Sequence, residues 1–281
     1  MKAATIVPQH HLHLIGNQKY HMALAHLIGK DGFQRYTEFY LEVGKDPESY
    51  LIMDNGVIEG DPRPIEELVE KAIQVNADEL ILPDVFMERH ATLAKTYDAL
   101  SKIKAHAYMN SKIARLKTMA VPQGKTLEEW FESARDLAAL PIDAIGIPKV
   151  LAKLPSKNSP EGYWLNRLEA LRMIQPLLQG TQTEVHLLGC WDTPLEIKAI
   201  SNAIANDTCP KVRGTDSAIP YAYARKGMKM SEGPRPEGAI DFEADDLDPD
   251  DLTLRYNIMM WQVECADIDL DAKDNHIPRF W

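Results

Sequence analysis

Cysteine is scarce in this 281-residue chain: Cys190, Cys209 and Cys265 stand far apart and no Cys-x-x-Cys occurs. That argues against a disulfide framework and against a standard zinc knuckle, and it predicts a reducing, cytoplasmic setting. Long apolar runs are missing as well. None approaches the roughly 18–20 residues that span a bilayer, so no membrane partner is expected. The first residues, Met1-Lys-Ala-Ala-Thr-Ile-Val-Pro8, have no extended apolar core ahead of a small-residue cleavage site, so no signal peptide is read there. Internal repeats, low-complexity linkers and clear domain boundaries are absent too. Basic residues are outnumbered, 31 Lys and Arg against 42 Asp and Glu, and the net charge of −11 weighs at first against a nucleic-acid partner.

What remains is an ordinary globular composition, 45% hydrophobic and 26% charged, in one chain long enough for a large α/β domain. Seven short apolar runs each lead into a polar residue, proline or glycine: Ala4–Val7, Tyr50–Asp54, Glu79–Asp84, Thr118–Gln123, Asp143–Lys149, Glu184–Gly189 and Val212–Asp216. Nearly continuous apolar runs mark parallel strands covered on both faces. Between them lie helical patterns over Pro64–Asn76, Arg89–Ala105, Thr126–Ala139, Gly162–Leu178 and Thr193–Ala205, and Thr126-Leu-Glu-Glu129 has capping-box spacing. Strand then helix, repeated, predicts a parallel sheet with right-handed crossovers. With Gly238–Phe242 as a weak eighth strand, the chain reads as one α/β domain of TIM (β/α)8 type over residues 1–281. Residues 9–49 read as an irregular insertion with a helical piece near Tyr20–Leu27, and 241–281 as an acidic segment followed by a C-terminal helix. No GxGxxG follows the first strand, which lowers a dinucleotide-binding reading.

In such a barrel the chemistry gathers at the carboxyl ends of the strands. Those ends carry Asp54-Asn-Gly56, Asp84, Gln123-Gly124, Gly146 to Lys149, Gly189 and Asp216. Any single aspartate there is commonly a helix cap. Three at corresponding ends shift the reading toward a site. Paired carboxylates suit glycosyl chemistry, one attacking the anomeric carbon while another manages the proton. An aspartate nucleophile must be ionised, and Arg225, nine residues beyond Asp216, is a candidate to keep it so. A carboxylate with a glutamine also matches a guanine-like edge, the carboxylate accepting from N1–H and the exocyclic amine. Charge is uneven along the chain. Residues 211–235 hold six Lys or Arg against two acids around Asp216, while 241–251 hold seven acids and no base. The basic stretch reads as a nucleic-acid contact or as a solvated loop.

Asp216-Ser-Ala-Ile-Pro-Tyr-Ala-Tyr-Ala-Arg225-Lys-Gly227 resembles the nucleophile segment of the tRNA-guanine transglycosylase family: an aspartate, a proline four residues on, an arginine nine on and a glycine eleven on. The other motifs follow in the family's order over residues 50–227. Asp54-Asn-Gly56 is similar to its Asp-Ser-Gly, Val121-Pro-Gln123-Gly124 to its Val-Gln-Gly, Ala144-Ile-Gly146 to its glycine segment, and His186-Leu-Leu-Gly189 to its Leu-Met-Gly strand. The resemblance implies Asp216 as nucleophile and Asp54 as general base. It implies Asp84, Gln123, Gly146 and Gly189 as base-binding residues, and Arg225, Lys226, Arg213 and Tyr223 as polynucleotide contacts. No cofactor is implied. The family's cysteine-and-histidine zinc site has no counterpart here, so no metal is expected, and Ala222 stands where the family has an arginine. The trimmed length is most like the phage and bacterial branch that inserts 7-deazaguanine bases into DNA, which implies a DNA acceptor, with tRNA as the alternative, in a bacterial or host cytoplasm. Oligomeric state stays open, a homodimer included.

Two other readings stand beside this one. Gln9-His10-His11-Leu-His13 puts a His-x-His after the first strand, as in metal-dependent amidohydrolases, with His11 and His13 as ligands. The rest of that ligand set is incomplete, since strand four ends in Gln123 and His186 lies inside its strand. The third reading is a catalytically silent nucleic-acid-binding barrel. Tyr221 and Tyr223 are stacking residues or loop packing, and Trp130 and Trp261 core packing.

Overall fold

The computed structural model describes residues 1–57, 60, 62–108, 110–153, 165–190, 195–232, 236, 238, 240–244, 247–248 and 250–266. Eight parallel strands form one sheet: β1 Lys2–Thr5, β2 Tyr20–Ala23, β3 Tyr50–Met53, β4 Glu79–Ile81, β5 Lys117–Ala120, β6 Ala144–Pro148, β7 Glu184–Leu188 and β8 Val212–Ser217. Their order, β1-β8-β7-β6-β5-β4-β3-β2, carries the sheet round so that β1 and β2 meet again. Helices alternate with strands: α1 Gln34–Val43, α2 Ile65–Gln74, α3 Arg89–Ala107, α4 Leu127–Ala138, α5 Leu165–Leu178, α6 Leu195–Ala205, the short α7 Ile219–Ala224 and α8 Leu252–Ala266. The fold is a nearly closed (β/α)8 barrel, as the strand and helix pattern predicts.

The eighth strand is not where the sequence pattern places it. Tyr20–Ala23 is β2, every residue buried, and α1 follows, so 9–49 is the first part of the barrel wall and not an irregular insertion. Tyr-His-Met-Ala is too short to show a period, and the apolar Leu24, Leu27 and Ile28 beyond it mimic a helical stripe. Gly238–Phe242 contributes no strand among its described residues.

No backbone ladder joins β1 to β2. Side-chain amides bridge the seam. Thr5 N–H donates to Gln18 Oε1 at 3.3 Å, and Gln18 Nε2 returns a bond to Thr5 Oγ1 at 3.0 Å. α8 covers β1 from outside, Gln262 Nε2 donating to the Ala3 carbonyl at 3.1 Å. The helix starts follow their local chemistry. Thr126 Oγ1 accepts from Glu129 N–H at 3.1 Å, while the Glu129 carboxylate reaches back to Lys125 N–H at 2.8 Å, one residue earlier than a standard capping box. Trp130 and Trp261 are fully buried in the core. No helix among the described residues is long and apolar enough to cross a membrane.

Candidate active site

Asp216 sits in the upper part of β8, level with Ala4 of β1 and nearly buried. Its carboxylate is held from the β7 side. His186 Nε2 lies 3.1 Å from Oδ1, and Gly189 N–H donates to both oxygens at 3.2 Å. Gly189 earns its place twice over: its φ is +67°, and a Cβ would come within 2.7 Å of Lys149 Cδ. Beyond Asp216 the chain turns at once into α7. Ser217 Oγ accepts from Ile219 N–H at 3.1 Å and Pro220 occupies the first turn. The Asp-to-Pro part of the family-like spacing therefore also encodes a strand-to-helix turn.

That turn is clamped by Asn257 of α8, a residue the sequence does not flag. Its Nδ2 donates to the carbonyls of Met228 at 2.9 Å and Pro220 at 3.3 Å, and its Oδ1 accepts from Met230 N–H at 3.0 Å. The side chain is fully buried. Asn257→Ala would strand three backbone groups and is expected to cost about 2–3 kcal/mol, read as a lower denaturant midpoint.

On the opposite wall a second cluster forms. Asp84 lies three residues past β4, and Gln123 three past β5. Gln123 Nε2 donates to Asp84 Oδ2 at 2.5 Å, and Asn55 Nδ2 donates to Asp84 Oδ1 at 2.8 Å. Gln123 Oε1 accepts from Met87 N–H at 3.1 Å, and Asn55 Nδ2 also reaches the Leu82 carbonyl at 2.9 Å. All three side chains are buried, so these bonds repay much of their desolvation. Burial still pushes the Asp84 carboxyl up to about 6. The Asn55 and Gln123 amides oppose that rise and the neighbouring Asp54 carboxylate adds to it. Asp54, one residue past β3, is half-buried and accepts from Gly56 N–H at 3.0 Å. Asn55 is a member of this cluster that the sequence shows only as the middle of Asp54-Asn-Gly56. Its signal is the Asx turn it makes, Oδ1 accepting from Val57 N–H at 3.1 Å.

With eight strands in the ring, β4 stands across from β8. Asp216 thus belongs to one side of the mouth, and Asp84, Gln123 and Asn55 to the other, with Asp54 at the end of β3. Gly146 is placed differently from expectation. It lies inside β6 opposite His186, and the space over its α-carbon is taken by Leu188 Cδ1 and Met119 Sδ rather than left for a ring.

Two expected polynucleotide contacts are corrected. Tyr223 is buried in α7 and has no face to offer a base. Arg213 points into the floor of the barrel, where it pairs with the buried Glu79 and with Glu184 at 2.9 Å. Lys226 is exposed, and Arg225 is half-buried with its guanidinium 6.0 Å from the Tyr221 ring centroid. The His11 and His13 pair is split. Both lie on a 3-10 turn, Gln9–Leu14, whose threefold repeat sends residues two apart to different sides. His11 is fully buried, its ring 5.7 Å from that of Tyr221, while exposed His13 turns its Nδ1 to the His10 carbonyl at 3.1 Å. Among the described residues no group of three or more His, Cys, Asp or Glu is placed to hold a metal ion.

Fold and site together define a single-domain (β/α)8 barrel with a carboxylate and amide cluster at its mouth. No family model matches the chain, and no curated protein matches it significantly.

Proposed function

We propose that this chain is a base-exchange transglycosylase that replaces guanine in a polynucleotide, DNA favoured, with a 7-deazaguanine derivative. One observation carries the reading: a hydrogen-bonded carboxylate, Asp216, at one side of the barrel mouth, and the Asn55–Asp84–Gln123 cluster across from it. In this reading an Asp216 oxygen attacks C1′ of a guanosine unit, the glycosidic bond breaks, and its electron pair leaves with guanine. Asp54 supplies the proton the leaving base takes up. The incoming base gives a proton back to Asp54 and displaces Asp216 from C1′, so two inversions retain configuration. Asp84 presents its remaining lone pairs to N–H donors on the base edge, and Gly189 lies beside the reacting carboxylate. Lys226 and Arg225 meet the phosphate backbone.

The test is incubation of duplex DNA and of tRNA, separately, with a radiolabelled 7-deazaguanine base. Label in DNA is the expected result, label in tRNA alone moves the acceptor to RNA, and label in neither overturns the reading. A pH dependence follows from Asp84. Donor groups on the base bind its ionised form, which is depleted below about pH 6. Affinity for the free base, measured calorimetrically, should be flat above that point and fall by at most about tenfold per unit below it. Affinity that climbs on acidification would contradict the assignment of Asp84 as an acceptor.

A further inference from the structure

Behind Asp216 runs a chain of buried polar groups from the floor of the barrel to its mouth. Glu79, at the start of β4, pairs with Arg213, and Tyr50 Oη donates to the same carboxylate at 3.0 Å. Arg213 lies beside the Tyr20 hydroxyl, Tyr20 Oη lies 3.0 Å from His186 Nδ1, and His186 Nε2 lies 3.1 Å from Asp216 Oδ1. Tyr20, Glu79 and His186 are buried, and Tyr20 stacks on Tyr50 at 5.6 Å.

Two backbone irregularities in β8 make this line possible. Val185 pairs with Val212 but His186 pairs with Gly214, so Arg213 is an extra residue in a β-bulge. The bulge turns into the barrel a side chain that regular alternation would send outward, since Asp216 and Gly214 already share the inner face. Gly214 then leaves room for Tyr20: a Cβ there would sit 2.7 Å from the tyrosine ring. A bulge and a missing side chain at adjacent positions both serve the same tyrosine.

The protons along the line can be assigned. A carboxylate only accepts, so the hydrogen between His186 and Asp216 belongs to Nε2. Burial drives the His186 pKa down, so the ring is neutral and carries a single N–H, which makes Nδ1 an acceptor. Tyr20 must then donate to Nδ1. Burial pushes its hydroxyl pKa up, further than the Arg213 guanidinium beside it draws it down, so it keeps that proton. From Tyr20 onward each donor points one step closer to the mouth, whereas Arg213 and Tyr50 donate back to Glu79 at the floor.

We propose that Tyr20 and His186 are positioning residues for Asp216: the Tyr20 hydroxyl donates to Nδ1 and anchors the ring of the Nε2–H tautomer, and that N–H, with the Gly189 amide, fixes which way the carboxylate lone pairs face. This deepens the transglycosylase reading, because a nucleophile must offer a free lone pair along one direction. It makes a claim about the resting protein that stands apart from turnover.

The test is long-range proton–nitrogen NMR on protein labelled with 15N in its histidine rings, with His186→Gln used to assign the signals. In the wild type His186 should show a protonated Nε2 and a bare Nδ1. In Tyr20→Phe, which removes one oxygen, Nε2 should stay protonated against Asp216, while the Nδ1 signal moves toward that of a nitrogen accepting no hydrogen bond. A protonated Nδ1 in the wild type, or an unchanged His186 pattern in Tyr20→Phe, overturns the proposal whatever the enzyme's activity. Under the exchange assay, Tyr20→Phe should lower kcat by about 10- to 100-fold with KM little changed. His186→Gln, which keeps a donor near the Nε2 position, should retain more activity than His186→Ala. Equal loss in the two variants also overturns it. If no polynucleotide exchanges in the wild type, the function fails while the tautomer measurement still decides the positioning claim.

Discussion

Asp216→Asn is expected to abolish both base exchange and covalent capture of the polynucleotide, a loss of at least about 10³-fold in kcat. The amide is nearly the same size, so the strand and the turn into α7 should survive. It lacks the nucleophilic charge, and its NH2 group would compete with the two donors that now serve the carboxylate, His186 Nε2 and Gly189 N–H. Denaturing electrophoresis after incubation with DNA and no incoming base reads the covalent intermediate directly. The wild type should give a retarded band and the variant none. Unimpaired exchange by Asp216→Asn would remove Asp216 from the chemistry and return the barrel to a binding role.

Arg167→Met is expected to give the largest loss of stability. Arg167 and Glu196 are both fully buried and meet at 2.5 Å. The guanidinium also donates to the carbonyls of Ile147, at 2.8 Å, and Gly189, at 3.0 Å, tying together the upper ends of β6 and β7. Cys190 completes the cluster. Burial pushes its thiol pKa far up, so it stays an S–H and donates to Glu196 Oε2 at 3.0 Å. Removing the arginine takes from a buried carboxylate the guanidinium it now meets, at a cost of about 3–5 kcal/mol, or a fall in melting temperature on the order of 10 °C. The double variant Arg167→Met with Glu196→Leu should recover most of that loss, because it removes both charges. The single variant should also weaken activity, since the Gly189 amide that contacts Asp216 sits on the peptide segment Arg167 braces. Thermal melts of the three proteins check the order. A single variant as stable as wild type would show that the pair contributes no net stability.

The parts of this molecule that the sequence reveals are those set by local pattern. Parallel strands covered on both faces read as apolar runs, and the polar residue ending each run marks the mouth, so Asp54, Asp84, Gln123 and Asp216 were legible. Thr126 was legible as a cap for the same reason. What failed was whatever depends on distant partners. Arg213 reads as one more basic residue in a basic stretch, because nothing local announces a bulge or the glutamate 134 positions earlier that it meets. Arg167, Glu196 and Glu79 are charged residues that hydropathy assigns to the surface. Tyr223 carries the composition of a stacking residue, yet the short helix after Asp216 packs inward against α8. Asn257 and Asn55 are ordinary polar residues until their neighbours are known.

The unladdered junction between β1 and β2 gives the wall a clasp where other barrels have a weld. Parting those two edges means giving up a few glutamine contacts, a smaller loss than unzipping a row of main-chain bonds, so slow amide protons should be rarest there. Tyr20 stands on one lip of that clasp, while β1 on the other lip is laddered to the strand bearing Asp216. Any widening of the gap draws the tyrosine off the imidazole, and the aim of the Asp216 carboxylate then depends on how tightly the ring is fastened.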